Sequence, residues 1–149
     1  MRDVNSSAVD DLAVDLVVTC ARFVRASARL SDQAVPTALW RAMAILEEFG
    51  AMRISDFALA DRCSQPSATN MLQRLERAGH VQRVPDPADG RASLVSLTDG
   101  GRARLAELRS GLGQQLSPRL LDLPTERRDE LVRAVQTIRG LLDTEEGNR

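Results

Sequence analysis

The sequence predicts one mainly α-helical domain carrying a single small β-hairpin, and three observations predict it. The 149-residue chain is 43% apolar and 28% charged with a formal net charge of −1, the profile of one folded globular domain, yet it holds only Trp 1, Phe 3 and Tyr 0. A core drawn from Leu, Val, Ile, Ala and Met suits helices, because strands favour aromatic and β-branched side chains. Apolar residues recur at spacings of three and four through most of the chain, the period of a helix face. Only residues 81–84 and 94–97 break that period with β-branched or alternating runs, and they flank the charged, Pro/Gly-rich segment 85–91.

Taken in order, residues 7–30 carry Val9, Leu12, Leu16, Cys20, Phe23, Val24 and Ala28 on one stripe. Ser7 is the expected N-cap, Asp10 and Asp11 the expected first-turn acids, and Arg22, Arg25 and Arg29 lie late, as the helix dipole prefers. Pro36 opens a second helix with Leu39, Met43, Leu46 and Phe49 on one face, and Gly50 stops it. After the extended Met52-Arg53-Ile54, Ser55 caps a third helix to about Arg62. Cys63-Ser64-Gln65 turns the chain, and Pro66 opens a fourth helix with Ala68, Met71, Leu72 and Leu75 inward, ending at Gly79. Beyond the hairpin, Thr98 caps a fifth helix holding Leu105, Leu108, Leu112 and Leu116, with a bend expected at Gly111 and Gly113. Pro118 and Pro124 bracket a linker holding Leu120, Leu121 and Leu123, and Thr125 caps a sixth helix with Leu131, Val135, Ile138 and Leu142.

All 20 basic residues are Arg. Residues 62–104 carry 7 Arg against 4 acids, whereas every other third of the chain is net acidic. The local basic segment suits phosphate attraction or, equally, an ordinary solvated face. Two short helices joined by a tight turn and followed by a two-stranded ribbon form a winged helix-turn-helix, whose second helix enters the major groove of DNA. Gln65, Ser67, Thr69 and Asn70 at the start of that helix, with Arg74 further along, can reach base edges or phosphates. Ser67, Thr69 and Asn70 can equally be capping and solvent-facing residues.

The segment Pro87-Ala88-Asp89-Gly90-Arg91, followed by Leu97-Thr98 and Gly101, resembles the MarR family of bacterial transcriptional regulators. That family's wing reads Asp-x-Arg, then a strand, then Leu-Thr-x-x-Gly. Phe57-Ala58, Ser64-Gln65-Pro66-Ser67 and Leu75-Glu76-Arg77-Ala78-Gly79-His80-Val81 resemble its other conserved stretches, so the likeness covers about residues 8–145. It implies a single domain over 1–149, with the winged helix-turn-helix at 36–98 and dimerisation helices at 7–31 and 98–145. The flanking helices expose more apolar stripe than the small winged module can cover, and a second subunit is the simplest cover. The resemblance further implies a homodimeric, cytoplasmic repressor on palindromic double-stranded DNA. Arg91 would reach the minor groove, and Asp89 would hold the wing by pairing with Arg91 or Arg83. Asn70 stands where the family often has Arg, so base preference does not carry over.

The family also implies a small aromatic or phenolic effector, for which Phe23, Trp40 and Met43 would form a lining, with Arg22 or Arg29 as carboxylate partners. The same three side chains suit ordinary core. Cys20 and Cys63, without CxxC spacing, are isolated thiols, and either would carry the alternative of a redox-sensing regulator. A helical interaction module without DNA binding is the other alternative. The single His80 leaves no catalytic triad or His-rich metal site, no phosphate-cradling Gly loop occurs, and no cofactor is expected. Neither a signal peptide nor a membrane span is expected.

Overall fold

The structure is a computed structural model that describes residues 4–28 and 37–146. Its elements run α1 (Val4–Ala28), α2 (Thr37–Phe49), α3 (Ile54–Ala60), α4 (Gln65–Arg77), β1 (Val81–Asp86), β2 (Asp89–Leu97), α5 (Asp99–Leu121) and α6 (Thr125–Glu146). Among the described residues, six helices and one hairpin give the predicted fold class. Contacts group the chain into two units, Met1–Leu112 and Gly113–Arg149. The expected roles of Arg29 and Pro36 lie outside the described residues.

In the first unit, Met43, Phe57, Leu72, Leu75, Val95, Leu97 and Leu105 are the large side chains fully removed from solvent. They come from α2, α3, α4, β2 and α5, so the start of α5 serves the core of the winged module. Leu39, Trp40 and Met71 are partly buried against this core. Phe49 was expected inward but stands exposed in the last turn of α2, and Ala42 and Ile45 fill the inward face instead.

Helix ends follow from local chemistry. Gly79 has φ +75°, its N–H donates to the Glu76 carbonyl at 3.0 Å, and the His80 N–H donates to Leu75 at 2.9 Å, which closes α4 in a left-handed cap. The same pair of bonds closes α3, from Arg62 N to Leu59 O at 3.2 Å and from Cys63 N to Ala58 O at 3.0 Å. There the left-handed residue is Arg62, at φ 51°. At the start of α5, Thr98 Oγ1 accepts from Gly101 N at 2.9 Å and donates to the Gly79 carbonyl at 2.6 Å, as an N-cap that also ties down the preceding turn.

Several predicted boundaries shift. The first helix starts at Val4, so Ser7 is an interior residue and Asp10 and Asp11 fall in the second turn. The α3 N-cap is Arg53, with extended backbone and no side-chain cap, while Ser55 lies inside the helix and bonds Asp56. Thr125 is the first residue of α6, and the Pro124 carbonyl takes the Arg127 and Arg128 N–H groups. The expected linker between Pro118 and Pro124 is helix as far as Leu121, which leaves only residues 122–124 as the connection. Proline removes a single N–H, Ser117 Oγ bonds the Gly113 carbonyl at 2.8 Å, Asp122 N bonds the Pro118 carbonyl at 3.1 Å, and α5 runs on to Leu121.

The hairpin is longer than expected and its tip shorter. Val81 pairs with Leu97 and Pro85 with Ser93, the register then shifts between Pro85 and Asp86, and Asp86 pairs with Asp89 across a two-residue turn. Asp86 Oδ1 accepts from Ala88 N at 2.9 Å, closing that turn. Met52 bridges to Val95 through two backbone bonds of 3.1 and 2.8 Å, which moors β2 to the segment just before α3.

Candidate nucleic-acid interface

The recognition helix α4 begins at a built cap. Ser64 Oγ accepts from Ser67 N at 3.3 Å and lies 2.8 Å from Ser67 Oγ, with Pro66 in the first turn, where no intrahelical donor is needed. Helical spacing sets Ala68, Leu72 and Leu75 on one side, where they are buried, and Ser67, Asn70, Arg74 and Arg77 on the other, where they are exposed. Gln65 is exposed at the first helical position. Thr69 is half-buried, its hydroxyl donating to the Gln65 carbonyl at 2.9 Å.

Ser67 and Thr69 therefore have local structural partners. Gln65, Asn70 and Arg74 have no side-chain hydrogen bond to a described residue, so their polar groups face solvent. Among the described residues, the exposed Arg62, Arg74 and Arg77 have no ion-pair partner. Arg62 and Arg77 were absent from the predicted contact set. Arg62 could have been found as a cation in the turn itself, and Arg77 as the next residue on the Asn70 and Arg74 stripe.

Two buried carboxylates brace this unit. Asp61, at the C-terminus of α3, has a side chain fully removed from solvent and takes a two-point bond from Arg41 on α2, with Nη2 to Oδ2 at 3.2 Å. The neighbouring Cys63 thiol is pushed above its ordinary value, first by burial and then by hydrogen bonding to Asp61. That is the opposite of the lowered pKa a redox-sensing thiolate needs. Cys20 is exposed on α1 in the single chain, where the stripe pattern predicted burial.

Asp86, at the end of β1, is 7% exposed and accepts from Arg53 Nε at 2.8 Å and Nη2 at 2.6 Å. The Ala88 N–H and then the Arg53 guanidinium hold its carboxyl below the ordinary value, and Asp86 in turn raises Arg53. Asp89 Oδ2 lies 4.0 Å from Arg53 Nη2. Arg83, one expected partner of Asp89, pairs with Glu76 at 3.4 Å. The Arg91 side chain, and with it the other expected pair, lies outside the described residues. Neither Arg53 nor Asp86 stood out in the sequence, since 33 positions separate them.

The residues expected to line an effector crevice differ in burial. Met43 is in the core, Trp40 packs on its edge, and Phe23 is exposed on α1. Among the described residues, no His/Cys/Asp/Glu cluster could hold a metal ion, and no helix is long and apolar enough to cross a membrane.

The chain is similar to known proteins over most of its length. An uncharacterized HTH-type transcriptional regulator of Mycobacterium leprae is 33% identical over 134 residues, covering 89% of this chain and 93% of the relative. An HTH-type transcriptional regulator of Mycobacterium tuberculosis is 32% identical over the same shares. The fold resembles that of a MarR family protein from Bacillus stearothermophilus, with a TM-score of 0.71 at 18% identity over 95% of this chain and 99% of that one. It also resembles a mutant Escherichia coli MarR complexed with operator DNA, with a TM-score of 0.54 at 21% identity over 83% of this chain and 96% of that one. The relatives are named as regulators and not as enzymes. With the MarR family profile matching residues 37–93, inside a winged helix-turn-helix whose recognition helix and hairpin are now described, the chain belongs to the MarR family of transcriptional regulators.

Proposed function

We propose that this regulator acts as a homodimeric repressor that lays α4 into the major groove of a palindromic operator and rests the β1–β2 wing on the flanking minor groove. The observation that carries this reading is the outward side of α4. Asn70, Arg74 and Arg77 are exposed there, and the two arginines have no ion-pair partner among the described residues, while the opposite side is sealed into the core. An amide can read adenine with two hydrogen bonds, and unpaired guanidinium groups suit phosphate oxygens or guanine. That a mutant E. coli MarR of similar fold is solved in complex with operator DNA supports DNA binding as such.

Two-fold symmetry in the protein requires it in the operator, with half-sites about 10 bp apart, one helical turn. Occupation of a promoter-proximal operator represses by exclusion. The effector part of the reading stays an expectation for Phe23, Trp40 and Met43, of which Met43 is buried, Trp40 packs against the same core and Phe23 is exposed.

Selection of bound sequences from random duplex DNA tests the proposal, followed by titration of the selected duplex at several salt concentrations. An imperfect palindrome is expected, with affinity falling roughly 10³-fold or more between 50 and 200 mM salt for 6–10 neutralised phosphates. Equal affinity for a scrambled duplex, or affinity indifferent to salt, contradicts it.

A further inference from the structure

We propose that Arg53 is the positioning residue of the wing, acting through Asp86 to set the direction in which the hairpin tip projects. The inference rests on the DNA-binding reading for its consequence, but not for its structural content.

The ladder ties the tip only weakly. It is regular from Val81–Leu97 to Pro85–Ser93, and there two things interrupt it, since Pro85 has no N–H to give and the register shifts, leaving the single pair Asp86–Asp89 beyond the break. The mooring of β2 to the body, Met52 to Val95, lies on the body side of that break. On the tip side, one carboxylate does both remaining jobs. Asp86 Oδ1 closes the turn by accepting from Ala88 N at 2.9 Å, and Asp86 Oδ2 receives Nε and Nη2 of Arg53 at 2.8 and 2.6 Å.

Arg53 is well placed to act as the fixed end of this strut. It is the N-cap residue of α3, its carbonyl accepts from Phe57 N at 3.0 Å, and Phe57 is fully buried in the core. Two donors on one planar edge define a direction, which a single ammonium does not. Asp86 is nearly fully buried, so a departing Arg53 leaves a carboxylate that must find water, and the tip is the part able to move. The Arg53 charge also offsets Asp86 and Asp89 at the root of a surface meant to approach phosphates.

The test is full-length Arg53→Met, which keeps the length of the side chain and removes the donors, beside Arg53→Lys. Amide hydrogen exchange is measured first, without DNA. Arg53→Met is expected to speed exchange at Ala88 at least tenfold relative to Leu75 and Val95 in the core, and Arg53→Lys is expected to recover part of the protection. Unchanged exchange at Ala88 overturns the proposal, whether or not the protein binds DNA. So does an equal rise at Ala88 and in the core, which marks general destabilisation.

A double-mutant cycle with Arg91→Ala on the selected duplex then reads the consequence. Arg53→Met is expected to weaken binding at least tenfold in the parent and less than twofold in the Arg91→Ala background, because the lost contact is already gone. Equal losses in both backgrounds mean that Arg53 touches the phosphates itself and overturn the positioning role. Absence of sequence-selective binding by the unaltered protein removes the DNA-binding reading alone, and the exchange result stands by itself.

Discussion

Gly101 shows how little room the start of α5 leaves: a Cβ there would stand 2.0 Å from the His80 carbonyl oxygen and 3.1 Å from Leu97 Cδ2. That carbonyl already accepts from Thr98 N at 3.0 Å, so it cannot retreat without undoing the cap. Gly101→Ala is expected to cost about 3 kcal/mol or more, at the upper end of overpacking, as urea denaturation followed by circular dichroism would show. Arg62 offers the reverse case. Its φ of 51° strains a residue with a Cβ, so Arg62→Gly is expected to raise the denaturation midpoint modestly, by up to about 1 kcal/mol in stability, while weakening DNA binding through the lost charge. A lower midpoint would mean that the Arg62 side chain contributes more than its backbone costs. For Asp86, the folded carboxyl lies below its ordinary value of 3.8. A lowered folded value stabilises fully above the unfolded one and is lost as pH falls through the folded one. The wing tip is therefore expected to stay ordered down through pH 4 and to loosen only in stronger acid, read as the chemical shift of the Ala88 amide. Asp86→Asn abolishes that acid transition.

Within single elements, α4 divides its polar residues by what already occupies them. Ser67 and Thr69 are engaged at the cap and with the Gln65 carbonyl, whereas Asn70 is exposed and unengaged among the described residues. Asn70→Ala is therefore expected to alter base preference in a selection experiment. Ser67→Ala and Thr69→Ala should weaken binding uniformly, and a changed consensus from either would reverse the assignment. In the wing, Arg91→Ala is expected to lower operator affinity at least tenfold, about 1.4 kcal/mol, with unchanged thermal midpoint. Asp89→Ala should weaken binding too, since Asp89 lies near Arg53 at the root of the wing. Tighter binding by that variant at fixed salt would mean that only bulk charge matters.

For the whole molecule, the exposed apolar residues decide the expectation. Leu12 on α1 is 67% exposed, and Val9, Val17, Phe23 and Val24 on the same helix are also open, as are Leu131, Val132, Val135, Leu141 and Leu142 on α6. Side chains of this kind in such numbers on each of two long helices call for a partner surface, since large exposed apolar patches are rare on a monomer. Two-fold pairing through these helices is the expected cover. Sedimentation equilibrium should report a dimer across a wide concentration range. Replacing Leu131 and Val135 with polar residues should abolish dimer and fold together, and a stable folded monomer would refute the coupling.

Much of this protein is determined by sequence-local physics. The helix stripes, the left-handed stops at Gly50 and Gly79, the Thr98 cap and the order of helices around one hairpin each depend on residues a few positions apart, where spacing and backbone preference suffice. The helix-turn-helix was legible for that reason, as was the outward placement of Gln65, Asn70 and Arg74. Two local outcomes still differed from the expectation: α5 continues past Pro118 because bonds four residues apart carry the chain over its missing donor, and the hairpin tip shrinks to two residues because the Asp86 carboxylate closes the turn onto the Ala88 N–H. Tertiary structure alone decided the long-range pairs. Arg41 meets Asp61 across 20 positions and Arg53 meets Asp86 across 33. A charged residue read in sequence looks like solvated surface, and only the packing of distant elements removes its water and obliges it to find an opposite charge.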